Sequence, residues 1–370
     1  KKEQKMYIYQ SENWPHFVFD EVKIFRILAE IKLRQGILIG RMQNLGFAEQ
    51  SNSSLEAITE EIMKSSLIEG QLLEIQGVRS SVARKLGLPY KNIPVPRNAE
   101  GMTETIIDAV KNYNKTIDRK RLCGWHKNMF PDGISGWNKI KAGCYRDDSC
   151  GAMQVVSGAI GHEKVCYEAP PAAVIPQEMQ KLFDFINNSE TDNIIKAAIA
   201  HLWFVILHPF EDGNGRIARA LSEMLLARSE QSQTRFYSMS SQIARERKEY
   251  YSQLEITGRA ELDITSWLVW FLECLGRAIG NSENLLKKTL EKSSFWREYQ
   301  GKDLNPRQEK IINMLFDGFT GNLTSRKWGK LCKCSHDTAT RDINALVKAG
   351  ILMQHGQGRS THYVLAWHEK

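Results

Sequence analysis

The chain has 370 residues, 42% hydrophobic and 25% charged, the balance of a soluble globular protein with room for two or three domains and a sizeable core. Its net charge of +7 is mild but uneven, since residues 301–370 hold 11 Lys/Arg against 6 Asp/Glu, an excess that points to an anionic partner for that segment. Seven cysteines without C-x-x-C spacing argue against a zinc site or a disulfide framework, and the longest apolar runs, Trp267–Leu275 (interrupted by Glu273) and Leu202–Leu207, are far short of the roughly 20 residues a membrane span needs.

The first residues, Lys-Lys-Glu-Gln-Lys-Met-Tyr, lack the apolar core of a secretory signal, so the reading is a cytoplasmic protein that does not use a membrane. Residues 6–19 mix aromatic and polar side chains around Trp14-Pro15 and read as a short extended segment. Asp20 is placed to cap a helix through Ile24, Leu28 and Ile31 that runs to Leu45, with Gly46 as its stop. Ser53-Ser-Leu-Glu56 reads as the start of a second helix, which carries Leu55, Ile58, Ile62 and Ile68 at helical spacing. Gly70 breaks it, and helical residues resume over Leu72–Val78.

Pro89 to Pro96 is linker-like and separates this N-terminal helical region from the rest of the chain. A further helix is expected from 103 through Tyr113, and His126 reads as a packed or capping histidine. Met153–Val156 and Lys164–Tyr167 are β-like and joined by a glycine-containing turn, which predicts a hairpin ended by Pro170-Pro171. Helices come next at 176–188 and 191–207. The second is apolar nearly all round, as a central buried helix is, and His201 inside it is read as structural. Further helices are expected at 245–256 and 264–279, then a polar, helix-prone connector over 281–304. In the tail, helices at 306–316, 325–331 and 335–348 precede strands at 351–354 and 362–365, with a polar hairpin tip between them.

One stretch concentrates chemistry, His208-Pro-Phe-Glu-Asp-Gly-Asn-Gly-Arg-Ile-Ala-Arg219. His208 is the side chain here that exchanges a proton near neutrality. Asp212 is a hard oxygen ligand of the kind Mg²⁺ takes when it is shared with phosphates. Gly213, Asn214 and Gly215 permit a turn that aims successive N–H groups at one point, and the helix beyond it adds its own N-terminal N–H groups to that anion nest. Arg216 and Arg219, three apart, lean toward the same ligand. Singly, each of these is more often a loop histidine, a plain turn or a solvated helix face. Together within twelve residues they are not.

The stretch matches the Fic-family signature His-Pro-Phe-x-[Asp/Glu]-Gly-Asn-Gly-Arg-x-x-Arg at every specified position, and the likeness covers roughly residues 100–280. It implies a helical core with a β-hairpin flap and transfer of AMP from ATP to a protein hydroxyl. It also implies His208 as base, Asp212 as Mg²⁺ ligand, a phosphate nest at Gly213, Asn214 and Gly215, and Arg216 and Arg219 on the β- and γ-phosphates, with Phe210 as a core anchor. The flap around Val155 and Val165 would dock the target by strand addition. Gly215 stands where the kinase-like Doc branch carries lysine, which favours adenylyl over phosphoryl transfer. Either Tyr250 or Tyr251 is placed to border the adenine. Upstream, Ser65-Ser-Leu-Ile-Glu-Gly70 resembles the inhibitory pattern [Ser/Thr]-x-x-x-Glu-[Gly/Asn]. Glu69 is then expected to pair bidentately with Arg219, with Ser65 bonding in the same site.

The tail resembles winged helix-turn-helix modules, with Thr338, Thr340, Arg341 and Arg359 as DNA-facing residues, although such modules also dock proteins. The expected fold is therefore mainly α, with an N-terminal helical region at 1–92 that contains the inhibitory motif, a Fic-type catalytic domain at 93–280, a connector at 281–304 and a winged-helix domain at 305–370. The leading reading is an autoinhibited protein adenylyltransferase using ATP and Mg²⁺, acting on a protein target that carries a Ser, Thr or Tyr hydroxyl, or on itself. The alternatives are a DNA-binding regulator whose Fic site senses nucleotide, and a hydrolase that removes AMP. Exposed apolar residues on the N-terminal helix pair favour a homodimer.

Overall fold

A computed structural model describes residues 7–91, 93–149, 151–157, 164–259, 261–299, 303–316 and 318–366. It contains two compact units, residues 1–282 and residues 283–370.

The first unit opens on a short 3-10 turn, Ile8–Gln10, and a turn at 11–15, where an extended segment was expected. Asp20 does cap α1 (Glu21–Gln43), its carboxylate accepting the Lys23 N–H at 3.0 Å. The next helix, α2 (Phe47–Ile68), begins six residues before Ser53. Gly46 is its N-cap rather than a stop. Ser53 and Ser54 lie inside the helix, because Phe-Ala-Glu-Gln already forms its first turn and the Glu49 side chain folds back over Gly46. Gly70, at φ +77°, breaks the chain as expected. Residues 71–74 are not helical, and α3 (Ile75–Leu86) starts only where Glu74 accepts the Gln76 and Gly77 N–H groups.

Then come α4 (Arg97–Lys111), which starts directly after Pro96, and α5 (Arg119–Met129). A two-residue ladder is next, β1 (Ile134–Ser135) with β2 (Asn138–Lys139). The predicted hairpin is β3 (Gln154–Ser157) against β4 (Lys164–Glu168), pairing Val155 with Tyr167 and Val156 with Val165 across a bulge; its turn lies outside the described residues. The unit continues with α6 (Ile175–Asn188), α7 (Asn193–Leu207), α8 (Asn214–Glu230), α9 (Met239–Arg245) and α10 (Arg247–Gly258). Last is α11 (Thr265–Glu298), which belongs to this unit as far as residue 282 and to the second unit beyond it, and which covers most of the expected connector.

Helix α7 is the centre of this unit. Between Ile194 and Leu207 only Val205 is not buried, and α8 packs along it. His201 is structural. Ser222 Oγ donates to the Ala218 carbonyl, so it accepts from His201 Nδ1 at 2.9 Å, and His201 Nε2 accepts the Tyr250 hydroxyl at 2.9 Å. Burial holds this imidazole neutral, near a pKa of about 3.

A second buried polar cluster ties α2 to the segment after α8. Glu61 accepts from the Ser238 hydroxyl at 2.7 Å and the Ser240 N–H at 2.9 Å. Nearby, Arg235 Nε donates to Glu223 at 2.9 Å, and Arg235 also pairs with Glu230. Burial outweighs the pull of Arg235 and pushes the Glu223 carboxyl up to about 8. The Glu61 bonds give α2 one position relative to the segment after α8, because shifting it would strand a buried carboxylate away from its donors.

The second unit is α12 (Pro306–Phe316), α13 (Ser325–Cys332), α14 (His336–Lys348) and the hairpin β5 (Leu352–His355) with β6 (His362–Leu365). Phe295, Ile311, Trp328, Ile343 and Leu352 form its core. Arg307 grips Asp342 with two bonds, Nε at 2.7 Å and Nη2 at 3.1 Å. Among the described residues no helix is long and apolar enough to cross a membrane.

Candidate active site

The site forms where α7 ends and α8 begins. His208 is the residue that stops α7, at φ 47° and ψ 57°, a left-handed conformation that a side chain other than glycine adopts only when its surroundings impose it. Arg146 imposes it. Its Nε donates to the His208 carbonyl at 2.8 Å, its backbone N–H donates to the Pro209 carbonyl at 2.9 Å, and its guanidinium also bonds Asp148 and the Pro170 carbonyl. The imidazole sits with Nδ1 3.3 Å from the Val205 carbonyl. A carbonyl only accepts, so Nδ1 carries the proton and the Nε2 lone pair is left to act as a base. Burial, with the Arg146 charge adding to it, holds the His208 pKa below the usual 6.5 against the pull of Glu69 and Asp212.

The loop after His208 is stapled from within. Asn214 Nδ2 donates to the Phe210 carbonyl at 2.8 Å and its Oδ1 accepts the Phe210 N–H at 3.0 Å. Phe210 is fully buried, as an anchor should be, and stacks on His126 at 4.1 Å. His126 is packed, and it also shapes the loop. Gly143 N–H donates to its Nδ1 at 2.8 Å, so its Nε2–H donates to the Asp212 carbonyl at 3.1 Å. Burial brings its pKa down to about 4, so this neutral tautomer persists at pH 7. The Asp212 carboxylate is 41% exposed and accepts from the Ser135 hydroxyl. Gly213, at φ +79°, is the N-cap of α8. A Cβ there would stand 2.8 Å from the Phe130 ring, so both backbone and space demand glycine.

Behind this turn, Arg216 is 3% exposed and lies over the Phe130 ring at 4.8 Å. Its Nη1 donates to Gln71 at 2.9 Å, while its Nε and Nη2 have no hydrogen-bond partner among the described residues. Nη2 has only an ion-pair contact with Asp212 Oδ1 at 3.6 Å. Buried guanidinium donors without hydrogen bonds are costly, and beside a helix N-terminus they fit an anion. Arg219, 1% exposed, is already engaged. Its Nη2 donates to Glu69 Oε1 and to the Ser65 carbonyl, and its Nε donates to Ser65 Oγ. The pairing with Glu69 is a single contact at 2.8 Å, where a bidentate one was expected. Ser65 takes the other edge of the guanidinium. Burial opposes the Arg219 charge, but the neighbouring Glu69 carboxylate more than offsets it and raises the pKa.

Glu69 is the C-cap of α2 and its carboxylate lies directly over the start of α8. A Cβ on Gly215 would be 2.2 Å from Oε1. Tyr251 donates to the Ile68 carbonyl at 3.3 Å and holds the same helix end.

Of the two tyrosines read as bordering the adenine, Tyr250 is a correction. It is 1% exposed and its hydroxyl is spent on His201, so only Tyr251, 39% exposed, offers a surface. On the hairpin, Val165 is 37% exposed and Val155 half-buried, and Arg259 donates to the Val165 and Cys166 carbonyls. In the second unit, Thr338 bonds Ser335 at the start of α14, Thr340 bonds back to the His336 carbonyl, and Arg341 is exposed. The Arg359 side chain lies outside the described residues. Gln71, Ser135 and Arg146 carry no motif and were not legible. His126, read as packed, gave no sign of holding Asp212.

Residues 116–226 match the Fic/DOC family, and residues 7–88 match the family described as Domain of unknown function (DUF4172). The chain is 28% identical over 188 residues to the protein adenylyltransferase Fic of Nematostella vectensis, covering 47% of this chain and 38% of that protein. It is 26% identical over 165 residues to the protein adenylyltransferase fic-1 of Caenorhabditis elegans, covering 44% and 30%. The chain thus spans about a third of the length of these relatives. Among solved structures, a Fic family protein from Desulfovibrio desulfuricans G20 shares the fold with a TM-score of 0.52 at 20% identity, over 92% of this chain and 95% of that one. A Fic domain containing signaling protein from Bacteroides thetaiotaomicron VPI-5482 aligns with a TM-score of 0.50 at 18% identity, over 71% and 97%.

Proposed function

We propose that this chain, which carries a Fic/DOC-family domain, is a protein adenylyltransferase that its own Glu69 holds back. The observation that carries the reading is a buried Arg216 whose Nε and Nη2 make no hydrogen bond, Nη2 having only an ion-pair contact with Asp212 at 3.6 Å, beside a left-handed glycine at a helix N-terminus and within one short loop of a histidine whose Nε2 is left to act as a base. This set suits a triphosphate whose α-phosphorus is attacked by a protein hydroxyl. The new bond joins the hydroxyl oxygen to phosphorus, the bond to the bridging oxygen breaks, pyrophosphate leaves, and Nε2 takes the hydroxyl proton. The N–H groups of the α8 start and Arg216 would hold the phosphates and offset the charge that develops on them. Arg219 would join them once Glu69 lets go.

Among the described residues no three metal-ligating side chains converge, but Mg²⁺ asks for less when phosphates supply most of its oxygens. Asp212, half-exposed beside the nest, fits that role, and the ion would supply charge neutralisation on the phosphates. Asp212→Asn is expected to raise the Mg²⁺ concentration for half-maximal rate about tenfold or more, since the variant loses the one carboxylate proposed for the ion. A metal titration unchanged from wild type would remove Asp212 from this role.

The pH profile offers a second check. His208 must be neutral to take a proton, and its pKa lies below 6.5. Removing Glu69 takes away one of the groups that raise it. The rate of the Glu69→Gly variant should therefore stay level from about pH 8 to about pH 6.5 and fall only below that. A decline that begins above pH 6.5 would assign the titrating base elsewhere.

The reaction itself is tested by mass spectrometry of the Glu69→Gly protein after incubation with ATP, alone and in lysate. An AMP adduct on a hydroxyl side chain is expected, and its absence in both arms would reject the proposal.

A further inference from the structure

Helix α2 stops in a way that its own sequence dictates. Gly70, at φ +77°, takes the left-handed position after the last turn, and two bonds close back across it. The Gly70 N–H donates to the Leu67 carbonyl at 2.9 Å, and the Gln71 N–H to the Ser66 carbonyl at 3.0 Å. The backbone on both sides of the glycine is thereby fixed, and both flanking side chains reach α8. Glu69 meets Arg219 at 2.8 Å, and Gln71 Oε1 accepts from Arg216 Nη1 at 2.9 Å. One helix cap thus holds both arginines of the loop after His208.

The two contacts act in opposite senses because they differ in charge. Glu69 takes up the positive charge that a phosphate would need. Gln71 is a neutral amide. A guanidinium only donates, so the atom it meets is the amide oxygen, and the full charge stays on Arg216. The bond also uses one corner of the fork, since Nε and Nη2 make no hydrogen bond. The Phe130 ring, 4.8 Å from the guanidinium carbon, sets the plane of the group, and Gln71 sets its rotation in that plane. A competing partner stands close by. Asp212 Oδ1 is 3.6 Å from Nη2, and closing that gap would spend Nη2 and neutralise the carboxylate proposed for Mg²⁺. Gln71 also has solvent within reach. It is half-buried in a short non-helical stretch, and the next residue, Leu72, is 85% exposed. Ordering a long side chain there costs entropy, and what the bond returns is a fixed orientation of Arg216. We propose that Gln71 is a positioning residue of the phosphate site, which turns Arg216 toward the triphosphate and keeps it off Asp212. The assignment rests on the adenylyltransferase reading and extends it: the segment that brakes the site through Glu69 also completes it through Gln71.

Calorimetry of ATP with Mg²⁺ on the full chain carrying Glu69→Gly tests this. Adding Gln71→Ala should weaken ATP binding about tenfold. Gln71→Glu keeps the acceptor but takes up the Arg216 charge, so it should weaken ATP binding more than alanine does. A residue that served only the local fold would cost the same with or without its arginine. Gln71→Ala is therefore repeated beside Arg216→Met, which fills the buried space and carries no donor, and there it should cost no more than about twofold. An affinity unchanged by Gln71→Ala overturns the assignment, as do equal losses in the two backgrounds or a Gln71→Glu protein that binds more tightly than Gln71→Ala. A Glu69→Gly parent that binds no ATP strikes down the adenylyltransferase reading itself, and this assignment with it.

Discussion

Replacing Glu69 with glycine is expected to raise AMP transfer roughly 10- to 150-fold, the factor that corresponds to removing a charge-assisted bond of about 1.5–3 kcal/mol from the resting state. The magnitude comes from where the pair sits. Arg219 is 1% exposed and the Glu69 side chain 29%, so the contact is little screened by solvent. Glu69 also does two things at once. Its carboxylate holds the guanidinium that a third phosphate would need, and it occupies the space over Gly215 where an anion would approach the α8 N-terminus. Glu69→Gln keeps most of the bulk and loses the charge, so it should fall between wild type and glycine. Ser65→Ala removes a neutral bond to Arg219 Nε and should raise the rate only a few-fold. Initial rates with α-labelled ATP and a fixed target resolve all three. A Glu69→Gly protein no faster than wild type would end the inhibitory reading, while the catalytic one would still be judged by the histidine.

His208→Ala, made in the Glu69→Gly background so that there is a rate to lose, should lower transfer about 10²- to 10⁴-fold, the span that a well-placed general base supplies. Nucleotide affinity should change little, because the donors proposed for the phosphates belong to α8 while the imidazole is carried by the C-cap of α7. The double variant therefore separates chemistry from binding: bound ATP by calorimetry, with almost no adduct by mass spectrometry. Retention of most of the rate would mean that the hydroxyl proton leaves by another route.

The part of the site that was legible is the part held by adjacent residues. Between His208 and Arg219 the chain makes one turn and starts one helix, and the chemistry of each side chain, the need for glycine at 213 and the three-residue spacing of the arginines all come from local rules. The same is true of the buried run Ile194–Leu207, of the Asp20 cap and of the helix order in the tail. Where local signals compete they mislead. Ser53-Ser-Leu-Glu56 has the composition of a helix start but lies within α2, since an earlier glycine and glutamate had already begun the helix. Tyr250 and Tyr251 are equivalent as neighbours in a string, and only the direction each takes from α10 buries one and leaves the other at a surface.

What the amino-acid order determined by itself is a histidine at the end of a buried helix, a glycine turn that starts the next helix, two arginines three apart on it, and an upstream Ser-x-x-x-Glu. The tertiary structure decided what these groups touch. It put Glu69 on Arg219 across 150 residues of chain, brought Gln71, Ser135 and His126 to the turn before α8 from three distant parts of the chain, and used Arg146 to hold His208 in a backbone conformation it would not choose alone. It also turned Ile24, Leu28 and Ile31 of α1 inward and left Val22, Phe25 and Leu33 outside. The physical reason is range. Turn and helix propensities act over a few residues and can be read from spacing, whereas an ion pair or a buried hydrogen bond between distant elements exists only after packing has brought them together and excluded water.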